Sequence, residues 1–149
     1  MKQIIQLVIL LVIPLLFTGC LAPVKNEVPL AGGDLSVKAT STNDTRLVIF
    51  NNSNFLLYGL DGSGRINVKL NGKGLVQIKV GYYAQAIVPK GSCQVELLHV
   101  DRDYYSSQHQ IELSEPESFL EIRAVSFSNE ARLVSTLPTN FEKKFKPVK

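Results

Sequence analysis

Residues 65–79 read RINVKLNGKGLVQIK, and this stretch decides the fold class. From Arg65 to Leu70, apolar residues alternate with polar ones, which is the period of a strand with one buried face. Asn71-Gly72 then supplies residues that tolerate positive φ, as a tight hairpin requires. Residues 75–79 pair back on the first strand in this interpretation. The stretch therefore predicts an antiparallel β-hairpin.

The same signals continue on both sides of the hairpin, as short runs of β-branched and aromatic residues separated by turn residues. The predicted strands are Arg46–Phe50, Arg65–Leu70, Leu75–Lys79, Tyr82–Val88, Cys93–Val100, Tyr105–Leu113, Phe119–Phe127 and Arg132–Thr136. The alternation slips at Leu97-Leu98, which predicts a bulge. This pattern predicts an all-β fold, a small antiparallel β-sandwich or a partly open barrel of seven to eight strands.

The first 20 residues have a different composition. Lys2 precedes an almost unbroken apolar run from Ile4 to Phe17, and small residues follow at Thr18-Gly19. A positive start, a short apolar stretch and a small-residue end form the layout of a signal peptide. The run of about 14 residues is shorter than the roughly 20 that a transmembrane helix needs. We therefore expect residues 1–19 to be an N-terminal signal helix that is removed on export.

The segment Phe17-Thr18-Gly19-Cys20 resembles the lipobox of bacterial lipoproteins, with Phe17 where Leu is usual. The resemblance implies cleavage between Gly19 and Cys20, a diacylglycerol on the Cys20 thiol and a fatty acid on its amine. Two or three acyl chains give stable anchoring where one is marginal. Leu21 stands where lipoproteins retained in the inner membrane carry Asp, which implies the periplasmic face of the outer membrane. The alternative is a plain signal peptide, or a short buried helix, with an incidental cysteine.

Composition divides the remaining chain into segments. Residues 20–45 are rich in Pro, Gly, Ser, Thr, Asn and Asp, and predict a lipidated cysteine followed by a flexible linker. Within this linker, alternation from Leu35 to Ala39 leaves room for a short edge strand. Residues 46–138 contain the predicted β-sandwich domain.

The charge of the chain is nearly balanced. The full sequence has 16 basic and 13 acidic residues, and removal of residues 1–19 takes away Lys2 alone, which leaves 15 against 13. A net charge of about +2 without a basic stripe argues against a nucleic-acid partner. Basic residues concentrate in the tail, residues 139–149. A helical tail would place Phe141 and Phe145 on one membrane-facing side, whereas a frayed, solvated tail is the favoured alternative.

From Arg46 to Thr136 the order of features resembles a family of uncharacterised bacterial lipoprotein domains, related in pattern to the PEGA-type β-domains of cell-envelope proteins. The likeness depends on Asn71-Gly72 ahead of a strand, and on an aromatic strand that runs into Val88-Pro89-Lys90-Gly91 and Val95. It implies an envelope accessory or interaction domain, and it brings no catalytic residues.

Two groups of residues are candidate metal sites. His99 and His109 lie ten residues apart on different predicted strands. The nearby acidic residues are Asp101, Asp103 and Glu112. A zinc site needs three or four converging ligands, so ordinary core-edge or surface histidines are the favoured interpretation. Residues 61–64, DGSG, are similar to the start of a calcium loop, but Gly72 occupies the position of its last acidic ligand, so a turn is favoured. We therefore expect no metal and no cofactor.

Cysteine and tyrosine residues are the other candidates for chemistry. Cys93 lies on a predicted strand, where a small buried hydrophobic residue is favoured over a reactive thiol. Tyr82-Tyr83 and Tyr104-Tyr105 are adjacent pairs, so each strand points one ring to each face. Outward rings suit contacts with glycans or proteins, although rings that cover sheet edges are the favoured interpretation.

The sequence favours a non-enzymatic, membrane-anchored lipoprotein that works as an envelope interaction or accessory module. Its expected partners are membrane lipid, through acylated Cys20, and an unidentified envelope protein. The alternative is a carbohydrate-binding module or an envelope enzyme that uses surface tyrosines and histidines. Convergence of the histidines, acidic residues and tyrosines in one concave pocket would favour that alternative, and scattering favours the interaction module.

Overall fold

A computed structural model describes residues 21–59, 64–101 and 103–149, so the expected signal helix and Cys20 lie outside the described residues. The strands are β1 (Asp44–Asn51), β2 (Ile66–Leu70), β3 (Lys73–Ile78), β4 (Tyr82–Pro89), β5 (Gly91–Val100), β6 (Tyr104–Leu113), β7 (Glu117–Val125), β8 (Ser128–Val134) and β9 (Lys146–Pro147). A π-helical turn spans Phe55–Gly59, and a single helical turn, α1, spans Phe141–Lys144. In these three ranges, no helix is long and apolar enough to cross a membrane.

The strands form two sheets, which confirms the predicted sandwich. Sheet A has the order β8-β7-β1-β4-β9, and sheet B has the order β3-β2-β5-β6. In the described ranges the strands number nine, because the tail adds β9 to the seven to eight predicted. Most pairs are antiparallel, as predicted, whereas β1 with β7 and β4 with β9 pair in parallel. The chain reaches β7 from the same end of the sandwich at which β1 starts, so those two strands run in the same direction.

The main core lies between the two sheets and is built by alternation along each strand. In β5, Cys93, Val95 and Leu97 are buried, while the residues between them are partly exposed. In β7, Leu120 and Ile122 are fully buried on the same inner side. One buried face per strand is the arrangement that a period of two predicts.

A second cluster covers the outer face of sheet A, and it corrects the expectation of a solvated tail. Phe141 and Phe145 are only 5% and 4% exposed. Both rings pack on Phe50, with centroid distances of 5.4 and 5.1 Å. The tail is therefore part of the folded domain, because β1 carries apolar residues on both faces and its outer face needs a cover.

The segment from residue 21 to residue 43 also packs on the domain, so the expectation of a free linker was wrong for this part of the chain. The carbonyl of Gly74 accepts hydrogen bonds from the Glu27 and Val28 amides, at 2.7 and 3.0 Å. The Ala31 amide donates to the Gln85 carbonyl at 2.7 Å. The segment is irregular, without the short strand expected at Leu35 to Ala39. We call residues 21–35 the strap.

The hairpin that decides the fold is confirmed, whereas the predicted bulge is wrong. Asn71 and Gly72 have φ of 49° and 77°, and they join β2 to β3. The pairing of β5 with its neighbours runs without a shift through Leu97-Leu98. The register shifts instead between β2 and β3, at Val68/Lys69. The two adjacent leucines at 97–98 simply place one side chain inside the core and the other on the outer face.

Strand directions give the sandwich two distinct ends. We call the loop end the one formed by the β1–β2, β3–β4, β5–β6 and β7–β8 connections. We call the turn end the one formed by the β2–β3, β4–β5 and β6–β7 connections. The strap starts on sheet B near the loop end and runs towards the turn end, where it crosses to the outer face of sheet A.

Candidate functional site

Exposed apolar side chains concentrate at the loop end. In the described part of the chain, six large hydrophobic side chains are exposed: Phe55, Leu56, Leu57, Tyr104, Phe127 and Leu133. All but Leu133 belong to the loop end. Phe127 is 80% exposed and Leu56 is 77% exposed. Contiguous exposed apolar surface is uncommon on soluble domains and marks a surface that contacts a partner or a membrane.

The π-helical turn that carries three of these side chains is well held by hydrogen bonds. The Asn54 side-chain oxygen accepts the Leu56 amide at 3.0 Å, and the Asn54 carbonyl accepts the Tyr58 amide at 2.9 Å. The Gly64 amide donates to the Tyr58 carbonyl at 2.7 Å. A Cβ at Gly64 would meet that carbonyl oxygen at 2.8 Å, so only glycine fits there. The backbone is therefore satisfied while the apolar side chains face outward.

A row of four rings, of which His99 is buried, crosses the end of sheet B. Tyr58 contacts His99, with centroids 6.2 Å apart, and His99 lies 5.2 Å from Tyr105. Tyr105 contacts Phe127 edge to face at 5.8 Å. Phe127 sits at the tip of the β7–β8 hairpin with φ of 67°, a strained value for a residue of this size. The hairpin tip thus holds an exposed phenylalanine where turns normally carry small polar residues.

Below this row, a buried polar group ties the two sheets together. The Asn129 side-chain nitrogen donates to the carbonyls of Leu97 and Tyr105, at 3.3 and 2.9 Å. Its oxygen lies 2.7 Å from His99 Nδ1. Burial lowers the pKa of His99, and the Asn129 hydrogen bond and the charge of Asp101 oppose that shift only in part. His99 is therefore a neutral core-edge histidine, in agreement with the favoured interpretation.

The structure does not bring the candidate histidines together. His109 pairs with Val95, four residues along β5 from His99, which is about 13 Å. Among the residues described, no group of three or more His, Cys, Asp or Glu side chains is placed to hold a metal ion. Residues 61–63 of the calcium-like segment lie outside the described residues, and Gly64 packs on Tyr58 and Val80.

The structure confirms the prediction that Cys93 is a small buried hydrophobic residue. Its side chain is buried in the main core, and burial raises the pKa of the thiol. A buried thiol that resists ionisation is a poor nucleophile. The second candidate cysteine, Cys20, lies outside the described residues.

The tyrosine pairs split between opposite faces, as predicted. Tyr83 is buried beneath the tail, and its hydroxyl donates to the Gly33 carbonyl at 2.7 Å. Tyr104 is 70% exposed, whereas Tyr105 is half-buried against His99. Tyr104 therefore offers an exposed ring at the start of β6.

Two concave surfaces lie away from these rings. A cleft of about 420 Å³ at the turn end includes Lys38, Asp44, Arg46, Lys90 and Glu117, but no histidine or tyrosine. Arg46 is largely occupied there, since it contacts Glu117, the Leu35 carbonyl and the Gln85 side chain. A groove of about 550 Å³ lies on the outer face of sheet B. A smaller hollow of about 170 Å³ at the loop end is lined by Tyr58 and Tyr82, but by no histidine or acidic side chain. Among the residues that the structure describes, the histidines and tyrosines therefore do not meet acidic side chains in these three hollows.

The start of the strap is fixed close to the loop end. The side-chain nitrogen of Gln77 donates to the Leu21 carbonyl at 3.1 Å. The Asn67 side-chain nitrogen donates to the Ala22 carbonyl at 2.8 Å, and the Asn67 side-chain oxygen accepts a hydrogen bond from the Val24 backbone amide at 3.4 Å. These bonds hold the strap on the outer face of β2 and β3. The first described residue is therefore tied to the sandwich rather than separated from it by a stalk.

Reasoning from sequence missed the loop-end surface. Residues 54–58 read NFLLY, a mostly apolar run that lies outside every predicted strand. Such a run inside a loop was the available signal, because loops are normally polar. Phe127 was assigned to the end of a strand, which concealed its place at a hairpin tip.

Comparison of the chain with protein-family models, curated proteins and solved structures finds no match. The resemblances to the lipobox and to PEGA-type domains stay predictions.

Proposed function

We propose that this protein is a lipid-anchored protein of the bacterial cell envelope whose β-sandwich is a non-enzymatic interaction or accessory module. The observation that carries the proposal is the segment from Lys2 to Cys20, in which a positive start, a short apolar run and Phe17-Thr18-Gly19-Cys20 follow one another. Cleavage before Cys20 leaves a mature chain that starts one residue ahead of the strap. Leu21 after the cysteine favours the periplasmic face of the outer membrane.

The chemistry of the described residues favours an interaction module over an envelope enzyme. The buried histidine is neutral and bonded to Asn129, and the Cys93 thiol is enclosed in the core. The acidic group with the most partners, Glu121, holds Asn52, Arg123 and Arg132 on the outer face of sheet A. Burial raises the pKa of Glu121, but the hydrogen bonds from Asn52 and Arg123 and the two arginine charges outweigh this and lower it. These groups serve packing and ion pairing.

Metabolic labelling with a fatty acid tests the anchor. In its bacterial host, the wild-type protein should incorporate label, and Cys20→Ser should lose it because the acyl acceptor is gone. Cys93→Ser is the matched control, since it removes the other cysteine and should keep the label in full. Label that persists in Cys20→Ser would contradict the proposal.

Crosslinking in intact cells, followed by purification of the lipidated protein, tests the interaction module. We expect a reproducible envelope-protein partner that is lost when exposed side chains of the sandwich are changed. Hydrolysis of an envelope substrate by the purified protein would contradict the non-enzymatic assignment.

A further inference from the structure

We infer that the loop end lies against the phospholipid bilayer that holds the Cys20 acyl chains, with its exposed apolar side chains at the membrane interface. The side chains concerned are Phe55, Leu56, Leu57, Tyr104 and Phe127. The inference rests on the proposed lipid anchor and adds which surface of the domain meets the membrane.

The first argument is distance. Gln77, which binds the Leu21 carbonyl, lies three residues before Val80 in the β3–β4 connection of the loop end. At about 3.3 Å per strand residue, this separation is roughly 10 Å. Residue 20 is one peptide away from Leu21, which adds about 3.8 Å at most. A lipid on Cys20 therefore brings the bilayer surface close to the loop end.

The second argument is direction. From Leu21 the strap passes Gln77 and then reaches Gly74, where a Cβ would meet the Lys25 carbonyl. It therefore runs from the loop end towards the turn end. Leu21, the first described residue, is therefore held at the end of the strap that lies near the loop end. Because the strap is bonded to β2 and β3, it has no slack that would let the domain turn its other end to the membrane.

The third argument is chemistry. Phenylalanine, leucine and tyrosine are the residues that enter the headgroup region when a protein lies on a membrane. The sequence of the loop-end connections is balanced in charge, with Arg65, Lys79 and Arg102 against Asp61, Asp101 and Asp103. This near balance makes apolar contact, rather than attraction to anionic lipid, the source of binding. Zwitterionic lipid is therefore a sufficient partner.

Tryptophan fluorescence tests the inference because the chain contains no tryptophan. Phe127→Trp and Leu56→Trp each place a probe at the loop end, and Lys73→Trp places a matched probe on the exposed hairpin of the turn end. Each variant is purified in its lipidated form and incorporated into phosphatidylcholine vesicles that contain lipid brominated near the headgroup. Replacement of exposed residues should leave the fold intact, which the melting temperature verifies for each variant.

We expect the two loop-end probes to be quenched at least about twofold more strongly than the Lys73→Trp probe. Intact mass of the same samples reports the lipid on Cys20 independently. Lipidated protein with loop-end probes quenched no more than the control would overturn the placement alone and leave the anchor standing. An unmodified Cys20 in protein taken from its native membrane would overturn the anchor and the placement together.

Discussion

The two ends of the sandwich connect the same strands, yet the side chains of their connections differ in polarity. At the turn end, Asn71-Gly72 and Glu115-Pro116-Glu117 are short, polar and exposed. At the loop end, Phe55 to Leu57 and Phe127 display large apolar side chains to solvent. Strand composition cannot explain the difference, because both ends close the same core. The exposed apolar side chains of the loop end are therefore suited to contact with another surface.

Buried asparagines hold the loop end in place beneath its apolar side chains. The Asn51 side-chain nitrogen donates to the carbonyls of Gly64 and Ile78, at 2.7 and 2.9 Å. Its oxygen accepts the Ser53 amide and hydroxyl. A rigid support beneath exposed side chains reduces the entropy lost on binding. The loop end is therefore a surface with a rigid, hydrogen-bonded support. Substitutions at the two ends test how they differ.

The largest expected loss of stability comes from removing a buried phenylalanine of the tail. Phe145→Ala should cost about 3 to 5 kcal/mol, because it opens a cavity beside Phe50 and Phe141. Urea denaturation measures the loss. Lys144→Ala, on the neighbouring exposed position, is the control and should change little. A loss below about 1 kcal/mol in Phe145→Ala would mean that the tail does not cover sheet A.

Asn129→Ala should cost about 2 to 4 kcal/mol, because it leaves the carbonyls of Leu97 and Tyr105 and the ring of His99 without a buried partner. Glu130→Ala is the control on the adjacent, exposed position of β8. Equal stability of the two variants would show that Asn129 does not join the sheets at the loop end.

At the turn end, Gly72→Val should cost about 1 to 2 kcal/mol through backbone strain alone. Gly72 has φ of 77°, and nothing lies within 4 Å of a Cβ built there. Lys73→Val, one residue later in β3, carries the same side chain at ordinary strand geometry and should be tolerated. Thermal denaturation compares the two, and an unchanged midpoint in Gly72→Val would contradict the hairpin geometry.

Stability should fall on mild acidification because of His99. Burial lowers its pKa in the folded state below the ordinary value of 6.5, so the unfolded state binds the proton more tightly. The contribution is complete above about pH 6.5 and is lost as the pH falls below that value. Melting temperatures measured between about pH 7.5 and 5 should show this slope, and His99→Gln should flatten it. An identical slope in the variant would place the titrating group elsewhere.

The smallest effect is expected for Phe127→Ser, which should change the free energy of unfolding by less than about 1 kcal/mol. Phe127 is exposed and loses only its edge contact with Tyr105. The same variant should bind vesicles less tightly than the wild type if the loop end meets the membrane. A large loss of stability would instead make Phe127 a structural residue.

Local patterns predicted most strands, because alternation and turn residues act over a few neighbours. The β2–β3 hairpin is the clearest case, since Asn71-Gly72 determines both the turn and the pairing. The parallel pairing of β1 with β7 was not predictable in this way, because it joins residues about 70 positions apart. No local signal reports which distant strand becomes a neighbour.

The covering of sheet A was missed although part of its signal was present. Residues 47–50 read LVIF, and an unbroken apolar run in a strand indicates that both faces are buried. The spacing of Phe141 and Phe145 suits one face of a helix. In the structure the tail forms one helical turn, and Phe145 begins an extended segment. The proline and glycine content of the strap predicts a flexible linker. Composition does not reveal hydrogen bonds to distant strands, such as those that the Asn67 and Gln77 side chains donate to the strap.

We propose that acyl chains on Cys20 hold this protein at a membrane. Mass spectrometry of the N-terminal peptide, from protein purified out of its own membranes, tests this proposal. We expect a peptide that begins at Cys20 and carries the mass of a diacylglycerol and a further fatty acid. A free thiol at this position, or a mature chain that begins at another residue, would contradict it.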